Sequence, residues 1–404
     1  MGNEKEIRQS FLKGLGIGAL AAALAIIITL TGINVFARQT RWGGIDPNTK
    51  LMEIYGLLNR YSIVPFEKDE MLDNMYRGFL AGVNDPYTQY LCVDALAAFH
   101  SRADGVFVGI GVTIFVDNDD PFVTISDVFR GAPAEAAGIL PGDQIMAVDG
   151  TDVAGWQRED VVGRITGPAN TPVVLTVYRP YESKRFDVEI IRARVEIPSV
   201  FHEMLYTENG LIGYIRLDGF DRVTPGQFDA AVAELAAEGM SGLILDVRNN
   251  PGGMLHSVVN ITDRLIPEGV IVFTVDSRGR REYTNTRTAE HLGIPLVLLV
   301  NGRSASASEV LAGAIRDTGV GTIVGEQTFG KGVVQNLLNL SDGSAIKLTV
   351  QTYHSPSGEN IHGIGITPDI IVEMSDELGR RISSITLEED IQLQVAIEVI
   401  GAKF

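Results

Sequence analysis

The chain has 404 residues, of which 45% are hydrophobic, and its formal net charge is −18. This length is enough for two or three domains, each with its own core. The negative charge argues against a general affinity for nucleic acid, so no nucleic-acid partner is expected. Cys92 is the single cysteine, which excludes an intrachain disulfide and a cysteine-rich metal site.

An uncharged apolar run occupies residues 14–36 and would span roughly 34 Å as a helix, close to the hydrocarbon thickness of a bilayer. Lys5, Arg8 and Lys13 precede it, which favours a cytoplasmic N-terminus. Val35-Phe36-Ala37 could be a signal-peptidase site, but the run exceeds the ~7–15 residues of a usual signal core. We therefore expect an uncleaved single-pass anchor in the cell membrane, with a cleaved signal and secretion as the alternative. Either way, the rest of the chain is expected outside the cytoplasm.

The sequence pattern that indicates secondary structure changes twice along the rest of the chain. Residues 48–96 have helical periodicity, interrupted by turn chemistry at 84–87. From residue 105, short β-rich runs are separated by Gly, Pro and Asp. They lie at 106–115, 123–128, 144–148 and 173–178. Beyond residue 194 the pattern is α/β, with helices at 227–238 and 306–316 and a capping box at 386–389 that predicts a last helix. The strands predicted in this part lie at 212–217, 243–247, 296–300 and 345–352.

Three alternating serines, Ser304, Ser306 and Ser308, follow the predicted strand at 296–300. Ser306 and Glu309 have the spacing of a capping box, so a purely structural interpretation makes Ser306 a helix N-cap. The same strand–turn–helix geometry would also hold a hydroxyl beside helix-terminal N–H groups, which favour a developing negative charge. The local sequence does not choose among the three serines.

Lys331 lies in an apolar, glycine-rich segment at 328–334. Burial there would lower the pKa of its amine from ~10.4 toward neutrality, as a general base requires. Residues 325–331 also fit G-x-x-x-x-G-K, the start of a phosphate-binding loop. Gly332 stands where that loop has Ser or Thr, and the residues after it look like a strand. Nucleotide binding is therefore the weaker alternative.

A glycine turn with Gly252 and Gly253 follows the predicted strand at 243–247. Such a turn can leave backbone N–H groups free to form half of an oxyanion hole. The structural alternative is a plain turn, supported by an ion pair between Asp246 and Arg248. The six histidines contain no HExxH pattern, and the sequence predicts no metal site.

Eight segments, in this order, resemble the carboxyl-terminal processing proteases, also called tail-specific proteases. Together they extend over nearly everything after residue 45. The segments are D-P-Y-T (85–88), G-I-G-V (109–112), A-P-A-E-A-A-G (132–138), P-G-D (141–143), R-N-N-P-G-G (248–253), S-A-S-A-S-E (304–309), F-G-K-G-V-V-Q (329–335), and S-P-S-G (355–358) leading to G-I-T-P-D (365–369).

Together with the apolar N-terminal run, the resemblance implies an α+β multidomain protein with a PDZ domain and an α/β protease core of the ClpP/crotonase-like kind. The expected parts are a cytoplasmic stub with a transmembrane anchor or signal (1–37), a helical N-terminal segment (45–100), the PDZ domain (101–194), the protease core (195–375) and a C-terminal helical segment (376–404).

The resemblance also implies roles for individual residues. Ser306 would be the nucleophile, Lys331 the general base, and Gln335 the residue that orients the lysine. Backbone N–H groups of Gly252 and Ala307 would form the oxyanion hole. No metal or organic cofactor is implied.

In the PDZ domain, one loop is expected to hold a peptide's terminal carboxylate, while the peptide adds as an extra strand. The loop residues are Gly109, Ile110, Gly111 and Val112. A departure from the family is Arg303, where relatives usually carry a small residue. The resemblance further suggests that the PDZ domain opens or blocks access to the protease.

These features predict a membrane-anchored serine endopeptidase that binds protein C-termini and cleaves near them. The alternative is a catalytically silent PDZ scaffold that binds peptides. The sequence leaves open whether the protein forms a homo-oligomer or requires an activating partner.

Overall fold

The computed structural model describes residues 46–116, 120–288 and 291–404. The chain divides into two units after Asn74. The predicted membrane segment at 14–36 lies outside the described residues. Within the described ranges, no helix combines the length and apolarity needed to cross a membrane.

Helices α1 (Pro47–Tyr61) and α2 (Lys68–Ala81) correspond to the predicted helical segment, and the unit boundary falls within α2. The prediction of helix over residues 48–96, interrupted only at 84–87, is wrong in two places. Residues 62–67 leave the helix because Pro65 disfavours the helical conformation of the residue before it. Gln89–Leu91 is a strand, β1, and α3 (Val93–Asp104) follows it.

The predicted PDZ domain contains strands β2–β9 and helices α4 and α5, and its main sheet has the order β3-β4-β5-β7-β8. The predicted strand at 106–115 is interrupted, because Gly111 has φ +82° and turns the chain between β2 and β3. The bounds are β2 (Val106–Gly109), β3 (Val112–Val116), β4 (Val123–Val128), α4 (Pro133–Ala136), β5 (Gln144–Val148), β6 (Thr151–Asp152), α5 (Arg158–Ile165), β7 (Pro172–Arg179), β8 (Lys184–Ile191) and β9 (Ala193–Glu196).

The predicted protease core contains a six-stranded sheet of order β10-β11-β12-β15-β16-β19, parallel from β11 onward. The bounds of its elements are β10 (Val200–Thr207), β11 (Gly210–Leu217), α6 (Thr224–Ala237), β12 (Gly242–Asp246), α7 (Leu255–Asp263), β13 (Val270–Asp276), β14 (Arg281–Asn285), β15 (Leu296–Val300), α8 (Ala307–Thr318), β16 (Thr322–Gly325), β17 (Val333–Asn339), β18 (Ala345–His354), β19 (Ile370–Ile371), α9 (Asp376–Arg380) and α10 (Ile391–Gly401).

Both faces of this sheet are covered. Leu243, Leu245 and Leu298 pack with α6, α7 and α8 on one face, whereas Ile244 and Val297 pack with α10 on the other. Strands buried on two faces become continuous apolar runs, which explains why β12 and β15 were recognisable in the sequence.

A second sheet has the order β1-β18-β13-β14, and β17 also pairs antiparallel with β18, along residues 345–352. Gln89–Leu91 of β1 pairs antiparallel with Ala345–Lys347 of β18. A segment that precedes the predicted PDZ domain in the chain therefore contributes a strand to the predicted protease core.

The parallel strands β12, β15 and β16 are neighbours and end at the same edge of the sheet. The segments that follow them contain Gly252, Ser306 and Lys331, respectively. The topology thus brings three distant parts of the sequence to one edge, where parallel α/β sheets bind their ligands.

Arg248, at this edge, has a fully buried side chain that ties the C-terminal segment to the sheet. Its guanidinium lies 2.6 Å from Asp246 and 2.8 Å from Asp390, which confirms the predicted ion pair with Asp246. The Asp390 carboxylate also accepts a hydrogen bond from the Leu393 N–H at 3.0 Å. Asp390 rather than Thr386 therefore caps the last helix, which begins at Ile391.

Candidate active site

Ser306 lies between the turn after β15 and the start of α8, with φ 57° and ψ −110°. A serine with positive φ is rare and strained, by on the order of 1–3 kcal/mol. The two flanking serines are buried, and their hydroxyls donate to backbone carbonyls: Ser304 to Val247 at 2.7 Å and Ser308 to Asn250 at 3.0 Å. Ser306 is partly exposed and forms a capping box with Glu309, whose carboxylate accepts a hydrogen bond from the Ser306 N–H. Of the three serines, Ser306 is the one that is not buried.

Gly252 is in contact with this serine. A Cβ on Gly252 would lie 2.6 Å from Ala305 O, 2.8 Å from Ala307 N and 2.9 Å from Ser306 Cβ. Glycine is therefore required, because a side chain would occupy the space beside the serine and the first N–H of α8. The structure brings Gly252, Ser306 and Ala307 together.

The two expected oxyanion donors differ in their present partners. The Ala307 N–H belongs to the first turn of α8, where N–H groups have no partner within the helix and the helix dipole is positive. The Gly252 N–H donates to Asn250 Oδ1 at 2.8 Å. Asn250 is buried and its Nδ2 donates to Leu217 O, so this amide is well fixed.

Glu309 joins the serine segment to the lysine segment. Its fully buried Oε2 accepts hydrogen bonds from the N–H groups of Ser306 and Lys331, both at 2.8 Å. Its Oε1 accepts from Thr328 Oγ1 at 2.7 Å and from the Gly330 N–H at 2.6 Å. The sequence predicted only the contact within the capping box, and the structure shows that the same carboxylate also binds the segment around Lys331.

Lys331 is half-buried. Burial lowers the pKa of its amine below the usual value for lysine, and the positive charge of Lys347 lowers it further, whereas Glu309 opposes this shift. The Nζ atom lies 4.9 Å from the centroid of the Tyr87 ring.

Gln335 lies on β17, and its Nε2 donates to Val333 O at 3.3 Å. Among the described residues, the structure gives no hydrogen bond between Gln335 and Lys331, so the orienting role of this glutamine stays a prediction. The strand that follows Lys331, β17, agrees with the sequence argument against a phosphate-binding loop, in which a helix would follow. Arg303 has an exposed side chain, and its N–H donates to Asn301 Oδ1 at 3.1 Å.

The predicted carboxylate-binding loop lies at one end of a groove between β3 and α5. β3 is an edge strand, so its outer side can pair with a peptide. The Ile110 and Gly111 carbonyls accept hydrogen bonds from Ala134 and Phe129, both at 2.9 Å. In a planar trans peptide the N–H points away from the carbonyl, so the N–H groups of Gly111 and Val112 face the opposite side.

A cavity of about 50 Å³ lies beside this loop. It is lined mainly by apolar side chains, as expected for a site that accepts an apolar C-terminal side chain. The lining side chains beyond the loop are Phe107, Ile114, Val162, Ile165 and Thr166.

Two family models match this chain: the PDZ domain at residues 102–178 and peptidase family S41 at 211–372. The carboxy-terminal-processing protease of Bartonella bacilliformis is 33% identical over 373 residues, which cover 90% of this chain and 82% of that protein. The carboxyl-terminal-processing protease of Synechocystis is 34% identical, over 85% of this chain and 80% of that protein.

The chain belongs to peptidase family S41. Within this family it is a carboxyl-terminal processing serine protease with a PDZ domain. A solved structure, the photosystem II D1 C-terminal processing protease, is 34% identical and covers 79% of this chain and 86% of that one, with a TM-score of 0.48.

In this S41 protease, three residues beside the site were not assigned by sequence reasoning. Asn250 and Glu309 lie within motifs that carried the family resemblance, but their partners depend on contacts between distant segments. Tyr87 lies in D-P-Y-T, which precedes the PDZ domain and gave no chemical signal of its own. Among the described residues there is no cluster of His, Cys, Asp and Glu that could hold a metal ion.

Glu309→Gln should lower kcat of this S41 protease by roughly 10- to 100-fold, because small displacements of reacting groups are that costly. A glutamine of similar shape offers one acceptor oxygen to four donors, so it leaves buried N–H or O–H groups unpaired. Peptide cleavage and the thermal midpoint would be measured together, with the exposed Glu268→Gln as the control. Wild-type kcat in Glu309→Gln would show that the carboxylate does not position the site.

Proposed function

We propose that Ser306 and Lys331 form a Ser-Lys catalytic dyad in a membrane-anchored endopeptidase that recognises protein C-termini through its PDZ domain. The observation that carries the proposal is the shared Glu309 carboxylate. It binds the backbone N–H of both residues and holds their segments at one sheet edge.

The two side chains have the properties that such a dyad needs. A serine hydroxyl is a weak nucleophile until a neighbouring base removes its proton. The depressed pKa of Lys331 increases the fraction of neutral amine near physiological pH. In the proposed reaction, Ser306 Oγ bonds to the scissile carbonyl carbon while its proton moves to Lys331 Nζ. The resulting ammonium then protonates the leaving amine, and water hydrolyses the acyl-enzyme with Lys331 again as base.

The developing oxyanion would lie against the Ala307 N–H at the positive end of α8. The Gly252 N–H is the second proposed donor. It donates to Asn250 Oδ1 in this structure, so it must share or exchange that bond when substrate binds. Gly252 is close enough to Ser306 to take part, because a Cβ placed on Gly252 would lie 2.9 Å from Ser306 Cβ.

Substrate recognition is proposed to use the groove beside β3. The peptide would extend the sheet, its carboxylate would bind the N–H groups of Gly111 and Val112, and its last side chain would enter the apolar cavity.

Membrane anchoring is proposed from residues 14–36 alone, which contain no charged residue and are preceded by three basic ones. The protease and PDZ domain would then lie outside the cytoplasm. A chain with a single cysteine forms no intrachain disulfide, which is compatible with that location.

Ser306→Ala and Lys331→Ala should each reduce kcat/KM for an unstructured peptide with an apolar C-terminus by at least about 10³-fold, because coupled catalytic groups fail together. The control is Ser341→Ala, an exposed serine in the β17–β18 turn. Cleavage by Ser306→Ala at the wild-type rate would exclude Ser306 as the nucleophile. If the wild-type chain cleaved no peptide but still bound C-termini, the catalytically silent scaffold would be the better description.

Gly111→Ala should raise KM for a peptide with a free C-terminal carboxylate by about tenfold, equivalent to about 1.4 kcal/mol of binding. The added Cβ would lie 2.2 Å from the Cβ of Ala132 and distort the loop. For an amidated peptide, Gly111→Ala should change KM little, because that peptide lacks the carboxylate that the loop binds. Gly150→Ala is a matched control, since Gly150 has φ +72° but open space at its Cβ position. Equal losses for acid and amide peptides would contradict carboxylate recognition.

The full chain, expressed as its Ser306→Ala variant, should sediment with membranes and resist carbonate extraction, because an uncharged helix of this length is stable in a bilayer. A chain that begins at residue 46 should not sediment. The N-terminal mass of the full chain separates the two alternatives, since a protein that starts after residue 37 would indicate a cleaved signal.

A further inference from the structure

We propose that Tyr87 is a positioning residue of the catalytic base, whose ring holds the Lys331 amine and stabilises the ammonium that forms when Ser306 is deprotonated. This inference rests on the proposed Ser-Lys dyad. It assigns a role in the reaction to a residue that precedes the PDZ domain in the chain.

The contact itself is the first support. Lys331 Nζ lies 4.9 Å from the centroid of the Tyr87 ring, within the distance at which an aromatic face attracts a cation. The attraction is strongest where water is partly excluded, and Lys331 is half-buried. The expected orienting residue, Gln335, donates instead to Val333 O.

The ring is held in place by its own turn. The Tyr87 N–H donates to Asp85 Oδ1 at 3.0 Å, and Thr88 Oγ1 donates to Asp85 Oδ2 at 2.6 Å. The Thr349 N–H of β18 donates to Thr88 Oγ1 at 3.3 Å, so the turn is attached to the core. The next residues continue as β1, which pairs with β18. Tyr87 is thus fixed to the sheet that also carries Lys347.

A further aromatic contact also supports the ring. The His362 ring meets the Tyr87 ring edge-on, with a centroid distance of 6.4 Å. The backbone at His362 also packs tightly on Gly332, the residue after the lysine, since a Cβ there would lie 2.3 Å from His362 N. The ring and the lysine backbone are therefore positioned by the same loop.

The charged and titratable groups around the amine act in opposite directions. Lys347 repels the ammonium, whereas Glu309 and the Tyr87 ring stabilise it. Glu309 lies on α8, Lys347 on β18 and Tyr87 in the turn that also carries Asp85. His362, in the loop after β18, contacts the Tyr87 ring. Removing the ring leaves the other groups in place, so its effect can be isolated.

A base must be neutral before the reaction and positively charged in the transition state. A ring that stabilises the ammonium raises the pKa of the base, and it also stabilises the partly charged amine in the transition state. Loss of the ring should therefore lower the plateau that kcat/KM reaches at high pH, and it should move the rise of kcat/KM toward that plateau to lower pH. At pH values below this rise, the kcat/KM values of wild type and variant should converge. A general packing defect would lower the rate equally at all pH values.

The test compares Tyr87→Leu and Tyr87→Phe in the full chain, with kcat/KM for an unstructured peptide with a free apolar C-terminus measured as a function of pH. Tyr87→Leu should lower the plateau by about 3- to 10-fold and move the rise of kcat/KM by up to about one pH unit to lower pH. Tyr87→Phe keeps the aromatic face and should retain nearly wild-type behaviour. Thermal midpoints of both variants establish that each is folded.

Lys347→Gln provides an opposite control. It removes a positive charge near the amine, so the rise of kcat/KM should move to higher pH, which establishes that this rise reports the protonation of Lys331. A rise at unchanged pH in folded Tyr87→Leu would overturn the proposal, as would equal impairment of Tyr87→Phe. Lys331→Ala separates the proposed role of Tyr87 from the proposed Ser-Lys dyad. If Lys331→Ala is inactive and Tyr87→Leu behaves as wild type, only the role of Tyr87 is contradicted. If Lys331→Ala is active, the dyad itself is contradicted.

Discussion

The buried carboxylate of Glu309 is the interaction on which the geometry of the site depends. A carboxylate without access to water is unfavourable unless hydrogen bonds replace its hydration. Here four donors do so, from Ser306, Thr328, Gly330 and Lys331. Charge-assisted hydrogen bonds of this kind are shorter and stronger than neutral ones. Because the donors come from both the Ser306 segment and the Lys331 segment, neither segment can move far without leaving part of the carboxylate unpaired. The relative position of the two segments is thus set by electrostatics rather than by apolar packing.

The parallel sheet makes this arrangement possible. β12, β15 and β16 end at the same edge, and each is followed by a turn that carries part of the site. The Gly252 turn and the Ser306 turn are joined directly, since the Ala305 N–H and Ser308 Oγ both donate to Asn250 O at 3.0 Å. The strained backbone of Ser306 is accommodated because its neighbours on both sides are fixed by these bonds. Rigid supports of this kind keep the Ser306 segment in one place.

Much of the fold could be predicted from the sequence, because buried parallel strands and glycine turns leave strong local patterns. β12 and β15 are continuous apolar runs, and the PDZ strands are bounded by Gly, Pro and Asp. The predicted secondary structure is wrong where strand pairing or helix capping in the fold overrides the local residue pattern. Gln89–Leu91 follows a helical pattern closely enough to be missed as a strand, and Thr386 offered a capping box although Asp390 caps the helix. The serine run left three candidates, and a choice required either the family resemblance or the hydrogen bonds of Ser304 and Ser308. The contacts of Asn250 and Tyr87 join distant segments, so no local pattern could indicate them.

The surroundings of Lys331, the proposed general base, illustrate why the pKa of such a group is rarely set by one neighbour. Burial and Lys347 favour the neutral amine, whereas Glu309 favours the ammonium, and the Tyr87 ring attracts the same positive charge. If only burial and Lys347 acted, the amine would be neutral but weakly basic, and proton transfer from a serine hydroxyl would have little driving force. If only Glu309 and the Tyr87 ring acted, the amine would stay protonated and could not accept that proton. Efficient bases have a pKa near the working pH, which for a lysine requires that the influences lowering the pKa outweigh those raising it. The structure supplies the two sets of groups from different elements, so the balance depends on the fold as a whole.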